Sequence, residues 1–563
     1  MTKKDESLGK YEEEIFDLKR GIEEARAFAL SKQDLVLELV KIGTALSGQK
    51  DHERLLEMIV ELAKRFTNAD GCTLYIRDEK EKSLRFTVVQ CDTLGVKMGG
   101  RAAKISWPPV ALNLADGSEN HGNVSAHCAL TGKKIKISDV YSSDFDFQGT
   151  RNFDLKNGYR SKSMLVLPMM NHDDEVIGVI QLINAQNRFT NEVEDFMDTG
   201  IEIVTSLASQ AAIAITNIQL ISGLEELLQS IVKMVATAID EKSPYTGGHV
   251  QRVANFTEEI VKKINQTKTG RFAGIDFNED QAKEIKMAAW LHDVGKIITP
   301  EHIIDKSKKL ETIFDRIEVI KLRIELLKKD SIINQLKRQI DLVSVKPDVL
   351  DDFADEIREL DEQFAFMQEI NTGGEFLRDE SLERLLKMAA CELDIAGNVQ
   401  PLLNDDELKN LSIRKGTLID SEREVINNHA AVTLKMLEAL PFPKKLAQVP
   451  VYAGMHHEKM DGSGYPQGLT AEQVPLPARI LAVADIFEAL TAADRPYKLG
   501  KLMSESMRIM GFMVKDNHLD SELCDLIVES GLAADYARQY ISERQQDDFV
   551  WAGKKYDIKG SNP

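Results

Sequence analysis

The chain has 563 residues, 43% of them hydrophobic and 29% charged, too many for one hydrophobic core and of ordinary globular composition, so about three domains are expected. The formal net charge of -20 excludes a dedicated nucleic-acid groove, which needs clustered Lys and Arg. The five cysteines form no CxxC pair, which excludes a disulfide framework or a zinc ribbon.

Residues 1–34 are polar and helix-favouring, and an N-terminal helix is expected there. The start, MTKKDESLGKYEEE, lacks the apolar core of a signal peptide, and no run of about 18 apolar residues follows. A soluble, cytoplasmic protein without membrane contact is therefore expected. Over 35–203, helical spacing in LVLELVKIGTAL and LLEMIVELAKRF gives way to strand-like runs, CTLYIRD, LRFTVVQ, KSMLVLPMM and EVIGVIQLINA. That pattern predicts an α+β domain, an antiparallel sheet with flanking helices.

From 204 to 239 the apolar residues Val204, Leu207, Ala211, Ala214, Ile218, Ile221, Leu228, Val232, Val235 and Ile239 recur by threes and fours, with Glu225 as the one break. Such a period keeps one stripe facing a partner helix, so a coiled coil and a parallel homodimer are expected. The plainer alternative is a helix packed on its own domain. Residues 240–520 read as an all-α domain with a helical insertion at 307–420, where Ile313, Ile317, Ile320, Ile324 and Leu327 mark an amphipathic helix. A C-terminal helical tail is expected over 521–563.

The histidines carry the chemistry. His249 lies in SPYTGGHVQRV, His292 in AAWLHDVGK, His429 in INNHAAVT, and His456 and His457 adjoin in HHEKMDGSGYP. Asp293 and Asp485 sit in apolar helical surroundings, where an ionised carboxylate is costly unless paired or bound to a cation. Mixed imidazole and carboxylate ligands suit Fe, Mn, Ni or Zn rather than Ca. Seven such groups exceed one ion's needs, and two divalent metal ions with Asp293 bridging is the economical arrangement. Two cations about 4 Å apart suit phosphodiester hydrolysis, and Lys296, one turn past His292, is placed to neutralise the phosphate or protonate the leaving oxygen. Taken singly, each histidine reads as an ordinary core or surface residue.

The motifs HDVGK, HHEKMDGSGYP and VADIFEALTAADRPYK resemble the HD-GYP subclass of the HD phosphohydrolases over about 240–305 and 420–515. The resemblance implies hydrolysis of cyclic di-GMP to pGpG and on to GMP. It implies His249, His292, Asp293, His429, His456, His457 and Asp485 as metal ligands, with Lys296 and Asp293 in catalysis. It further implies Arg495, Lys498 and Tyr465 beside the substrate. Two departures stand out: Tyr245 replaces the Glu with which some members hold a third metal, and the insertion between His292 and His429 is long. Two other readings remain open, a non-hydrolytic cyclic dinucleotide receptor signalling to protein partners and a hydrolase of cyclic GMP-AMP.

NGYRSKSMLVLPMMNHDDEVIGVIQLINAQNRFTNEVEDF resembles a GAF sensor domain over about 36–216. Asn184, Arg188, Phe189 and Glu192 partly match the signature of cyclic-nucleotide-binding GAF domains, while Asn191 departs from it. The resemblance implies either a small-molecule or cyclic-nucleotide ligand or a dimerisation module, and it leaves the ligand unidentified. The expected fold class is thus a multidomain chain: an α+β GAF domain, a coiled-coil helix, and an all-α HD-GYP domain with a helical insertion.

Overall fold

The computed structural model describes residues 40, 41, 43–45, 48, 51–242, 248–341, 349–395, 398–492 and 500–558. The expected helix at 1–34, Tyr245, Arg495 and Lys498 lie outside the described residues. The chain divides into two compact units, Met1–Leu227 and Leu228–Pro563.

The first unit opens with α1 (His52–Thr67), capped by the Asp51 carboxylate, which accepts from the Arg54 N–H at 3.0 Å. Its Leu55, Leu56, Ile59, Val60 and Ala63 are buried, the stripe that one helix face presents to a core. An eight-stranded sheet follows: β1 (Ala69–Asp78), β2 (Ser83–Cys91), β3 (Val96–Gly99), β4 (Val110–Ala111), β5 (Ile135–Ile137), β6 (Met164–Met170), β7 (Val176–Gln186) and β8 (Val193–Glu194). The order is β3-β2-β1-β7-β6-β5, with β4 on β2 and β8 on β7, and every pairing is antiparallel.

Both faces of this sheet are covered. Along β1, Cys72, Leu74 and Ile76 join one core with α1, while Tyr75 joins a second with α2 (Val124–Thr131). Along β6, Leu165, Leu167 and Met169 point to the first core and Met164 and Val166 to the second. Successive side chains alternate between faces, which explains why KSMLVLPMM is apolar throughout.

Helix α3 (Gln148–Asn157) precedes β6, and α4 (Asp198–Asp240) closes the unit. In α4, Val204, Leu207, Ala208, Ala211, Ala212 and Ile215 are fully buried in the core shared with α1. The first part of the expected coiled-coil stripe is therefore domain core. Its last part, Val232 and Ile239 with Ala236, is buried in the core of the second unit. Ile221, in the middle of the expected stripe, is exposed, and so is a second stripe of α4: Ile213, Leu220, Leu224, Leu227, Ile231 and Met234 are between 44% and 65% accessible. Length and hydropathy alone would let α4 pass as a membrane span; burial of its apolar residues in the two cores accounts for much of that apolarity.

The second unit is built on α5 (His249–Gln266), α6 (Glu279–Leu291), α11 (Asp420–Glu438), α12 (Val449–Gly454) and α13 (Leu476–Thr491). The intervening insertion comprises α7 (Ile317–Asp341), α8 (Val349–Asn371), α9 (Asp379–Ala389), a hairpin of β9 (Glu392–Ile395) and β10 (Asn398–Pro401), and α10 (Asp405–Leu411). It has its own core, with Leu310, Ile317, Ile320, Ile324, Met367, Leu385 and Leu411 buried together. The hairpin was not expected within a helical insertion.

Helices α14 (Met503–Lys515), α15 (Ser521–Glu529) and α16 (Leu532–Tyr540) complete the domain with a second hairpin, β11 (Phe549–Trp551) and β12 (Lys554–Tyr556). Leu523, Ile527, Ala537, Phe549 and Trp551 belong to the main core. The purely helical tail expected over 521–563 is thereby corrected, over the described residues 521–558, to two helices and a hairpin packed into the domain.

Candidate metal centre

Five local structures bring the predicted ligands together. His249 is the first residue of α5, following Gly248 at φ 80. His292 and Asp293 lie where α6 ends and a tight 3-10 turn, Val294–Ile298, begins. His429 lies within α11, His456 and His457 just past α12, and Asp485 within α13. The turn after Asp293 is pressed against α11: a Cβ on Gly295 would lie 2.0 Å from the His429 carbonyl oxygen and 2.7 Å from the Thr433 nitrogen. Thr433 rivets the contact. Its hydroxyl accepts from the Gly295 N–H at 2.9 Å and donates to the His292 carbonyl at 3.0 Å. A substitution of Gly295 would therefore push apart two ligand-bearing segments.

The imidazoles are aimed by their outer nitrogens. Nδ1 of His292 donates to the Ala289 carbonyl at 2.8 Å, that of His429 to Ile426 at 2.6 Å, and that of His456 to Ala453 at 2.6 Å. His249 places Nδ1 on the buried Glu488 carboxylate, which also accepts from Arg252 Nε at 2.7 Å. With Nδ1 protonated and engaged, Nε2 is left with its lone pair facing inward, the arrangement in which histidine binds metal.

Those inward atoms converge on two carboxylates. His249 Nε2 is 3.2 Å from Asp485 Oδ1 and 3.7 Å from Asp293 Oδ2, and His292 Nε2 is 3.2 Å from Asp293 Oδ2 and 3.7 Å from Asp485 Oδ1. His429 Nε2 is 3.4 Å from the other Asp293 oxygen, Oδ1. His429, His456 and His457 lie together, as do His249, His292 and Asp293, and His456 also groups with His292 and Asp485. Asp293 thus offers one oxygen to each side.

Buried Nε2 atoms of His292, His429 and His456 and Oδ1 of Asp293 make no hydrogen bond. Orphaned polar atoms of this kind are costly in a core, and a divalent cation is the partner that nitrogen lone pairs and a carboxylate oxygen share. The donor set fits metal.

The electrostatics run the same way. For Asp293, burial works to raise the pKa, but His292 and Lys296 outweigh it and hold the carboxyl well below its usual range. Asp485 is likewise held low, against burial, by His249 and His292. Burial opposes protonation of His249 and His292, yet the adjacent carboxylates lift them to about 9 and about 10. His456 and His457 show the opposite shift: burial lowers both, His457 to about 4, with like-charged imidazole neighbours adding to the effect. The carboxylate side demands positive charge, and a cation that meets the demand releases protons from its ligands.

Lys296 donates to Asp293 Oδ2 at 2.6 Å. Tyr465 lies beside His457 at a centroid separation of 4.8 Å, with the ring planes tilted by 38°. The glycine-rich loop that carries it is held by the buried Glu458 carboxylate, which accepts from the N–H groups of Gln467 at 2.7 Å and Leu469 at 2.8 Å. A Cβ on Gly464 would meet the Lys459 nitrogen at 2.3 Å, so the loop lies flat on the histidine segment. Of the expected substrate residues, Tyr465 is at the site. Sequence reading missed Glu488, Arg252, Thr433 and Glu458. Glu488 lies three residues past Asp485 and Arg252 three past His249, each one helical turn from a ligand; that spacing was the available signal.

A GAF domain model matches residues 51–215, and two HD domain models match residues 246–393 and 386–523. The chain is 41% identical over 308 residues to the 3'3'-cGAMP-specific phosphodiesterase 1 of Vibrio cholerae, covering 55% of this chain and 43% of that protein. It is 42% identical over 87 residues to the cyclic di-GMP phosphodiesterase response regulator RpfG of Xanthomonas campestris, covering 15% and 22%. With the cyclic di-GMP phosphodiesterase PA4108 of Pseudomonas aeruginosa it shares 36% identity over 117 residues, 21% and 27%. The chain spans less than half the length of each of these relatives. It joins a GAF domain to a domain of the HD family.

Proposed function

We propose that the chain is a metal-dependent phosphodiesterase that hydrolyses cyclic di-GMP to pGpG and onward to GMP. The observation that carries the reading is the placement of Asp293 between imidazoles: its Oδ2 lies 3.7 Å and 3.2 Å from Nε2 of His249 and His292 and its Oδ1 lies 3.4 Å from Nε2 of His429, while His456 groups both with His429 and His457 and with His292 and Asp485. Two divalent ions held there, of Fe, Mn, Ni or Zn, would supply paired charge for the phosphate oxygens and a water made acidic at neutral pH.

The residues of the chain do the rest. Asp293 and Asp485 fix the imidazoles in register, while Glu488 and the three main-chain carbonyls keep Nε2 of His249, His292, His429 and His456 pointed inward. Lys296, partly accessible beside Asp293, holds its proton next to the scissile phosphate and delivers it to the departing ribose oxygen. Tyr465 forms the wall against which a base or sugar lies. The GAF domain regulates turnover through a small-molecule ligand, and α4 pairs two copies of the chain through its exposed stripe.

A second reading has one specific observation behind it: the relative that matches over 308 residues is named as cyclic GMP-AMP-specific. The deciding experiment incubates anaerobically purified, Mn-loaded full chain with each dinucleotide and identifies products by chromatography. Linear pGpG from cyclic di-GMP, lost in Asp293→Asn, supports the leading reading. Cleavage of cyclic GMP-AMP alone replaces it with the second. Binding of nucleotide by fully metallated protein without turnover of either sinks both, and leaves a receptor.

A further inference from the structure

The turn that carries Lys296 ends at Ile298, where the Lys296 carbonyl accepts from the capping Thr299 N–H at 3.0 Å, while the carbonyls of Ile297 and Thr299 are left to other partners, as at any helix C-terminus. They are met from outside. Lys242, two residues past the end of α4, donates its ammonium to the carbonyls of Ile297 at 2.7 Å and Thr299 at 2.7 Å, with that of Lys296 at 3.4 Å. Among the described residues no carboxylate pairs with it, and its ammonium sits at the end of this turn, where the peptide dipoles favour a cation.

We propose that Lys242 is a positioning residue for Lys296. An ammonium has three donors on a flexible stem, and here they close over carbonyls at both ends of the residue pair Ile297 and Ile298. That fixes the C-terminal side of the turn. The N-terminal side is fixed separately: Thr433 holds the Gly295 N–H, and the Asp293 carbonyl accepts from the Lys296 N–H at 2.9 Å. Between these two anchors the Lys296 backbone has one position, and its Nζ reaches Asp293 Oδ2 from there. Without the outer anchor, the C-terminal side of the turn is left with the main-chain bond from the Thr299 N–H to the Lys296 carbonyl. Ile297 and Ile298 are half exposed and add little packing of their own.

Asp240 strengthens the placement. Its Oδ2 accepts from the Val250 N–H at 3.2 Å, next to His249. The end of α4 therefore touches the main chain of two ligand- or lysine-bearing segments through residues two apart, and neither contact is with substrate or metal. Lys242 acts through Lys296, and the inference rests on Lys296 serving the hydrolysis proposed above.

The test uses the full chain with Lys242→Met, which keeps the aliphatic stem, and Lys242→Arg, which restores donors. Hydrogen exchange of the amides from Val294 to Ile303 is measured by mass spectrometry alongside kcat and KM for cyclic di-GMP and the metal content. Expected for Lys242→Met are exchange about tenfold faster in that segment only, kcat down about tenfold, KM and metal content within twofold, and recovery of kcat to within threefold in Lys242→Arg. Unchanged exchange overturns the clamp, and faster exchange with unchanged kcat overturns the positioning role. A fall in kcat matched by metal loss does the same. Absence of turnover in the unsubstituted chain would strike the hydrolase reading instead, and the exchange measurement would still decide whether Lys242 holds the turn.

Discussion

Glu488 shows how a residue without direct contact to the expected cations decides the geometry of one that has it. Its carboxylate is buried, engages Nδ1 of His249 and is held by Arg252. Removing such a support typically costs 10–100-fold in metal affinity or activity. Glu488→Gln is expected to lower turnover by about tenfold or more and to reduce metal retained after dialysis, read by elemental analysis; full retention with full turnover would refute the role. At Gly295 the issue is space. Gly295→Ala would set a methyl 2.0 Å from the His429 carbonyl oxygen, and forcing the turn off α11 should cost about 3 kcal/mol in urea unfolding. A loss under about 0.5 kcal/mol, the range of a surface change, would mean that the contact yields. The ligands themselves were legible because they fall in short motifs whose residue types carry the chemistry. Thr433, Glu458 and Lys242 were not, since their partners are main-chain groups, far away in sequence for Thr433 and Lys242 and across the glycine-rich loop for Glu458, and nothing in a Thr, Glu or Lys announces which main-chain group it will meet.

At the scale of elements, the insertion reads differently from the helices around it. Ile317, Ile320 and Ile324 were expected on one face of a helix and are buried together. Ile313, counted in the same stripe, is 95% exposed because the helix starts only at Ile317. The β9 and β10 hairpin escaped notice because its strands are four residues long and β10 is exposed throughout, so no alternating pattern builds up. Lys309 anchors this region from the inside, donating to the carbonyls of Leu411 at 3.1 Å and Ile413 at 2.8 Å. Burial pushes its pKa down from 10.5 to about 8. A lysine whose folded pKa is depressed destabilises the fold while both states carry the proton, below about pH 8. Between about 8 and 10.5 the folded form sheds its proton first, so stability rises with pH across that window and levels off above it. Amide protection factors in α9 and α10, corrected for intrinsic exchange, should therefore increase from pH 8 to 10.5, and Lys309→Met should remove the increase. A flat profile in the parent chain would contradict the assignment.

For the whole molecule, the proposed dimer turns on which stripe of α4 would meet a second copy. Periodicity in the sequence identified Val204, Leu207, Ala211, Val232 and Ile239, but a three-and-four repeat reports that residues are apolar, not which way they face. Those positions are satisfied by the cores of their own domains. The stripe left in solvent, Ile213, Leu220, Leu224, Leu227, Ile231 and Met234, keeps the same spacing, and two such helices in parallel would bury it knob into hole. The two stripes predict different behaviour. Leu224→Glu with Leu227→Glu touches neither core, so the chain should stay folded and its mass by light scattering should fall from twice 63.1 kDa to 63.1 kDa. Val232→Asp places a charge inside the core instead, and should lower the unfolding midpoint before it alters association. Should the parent chain already run at the single mass, or the double variant remain a dimer, the exposed stripe is not the pairing surface.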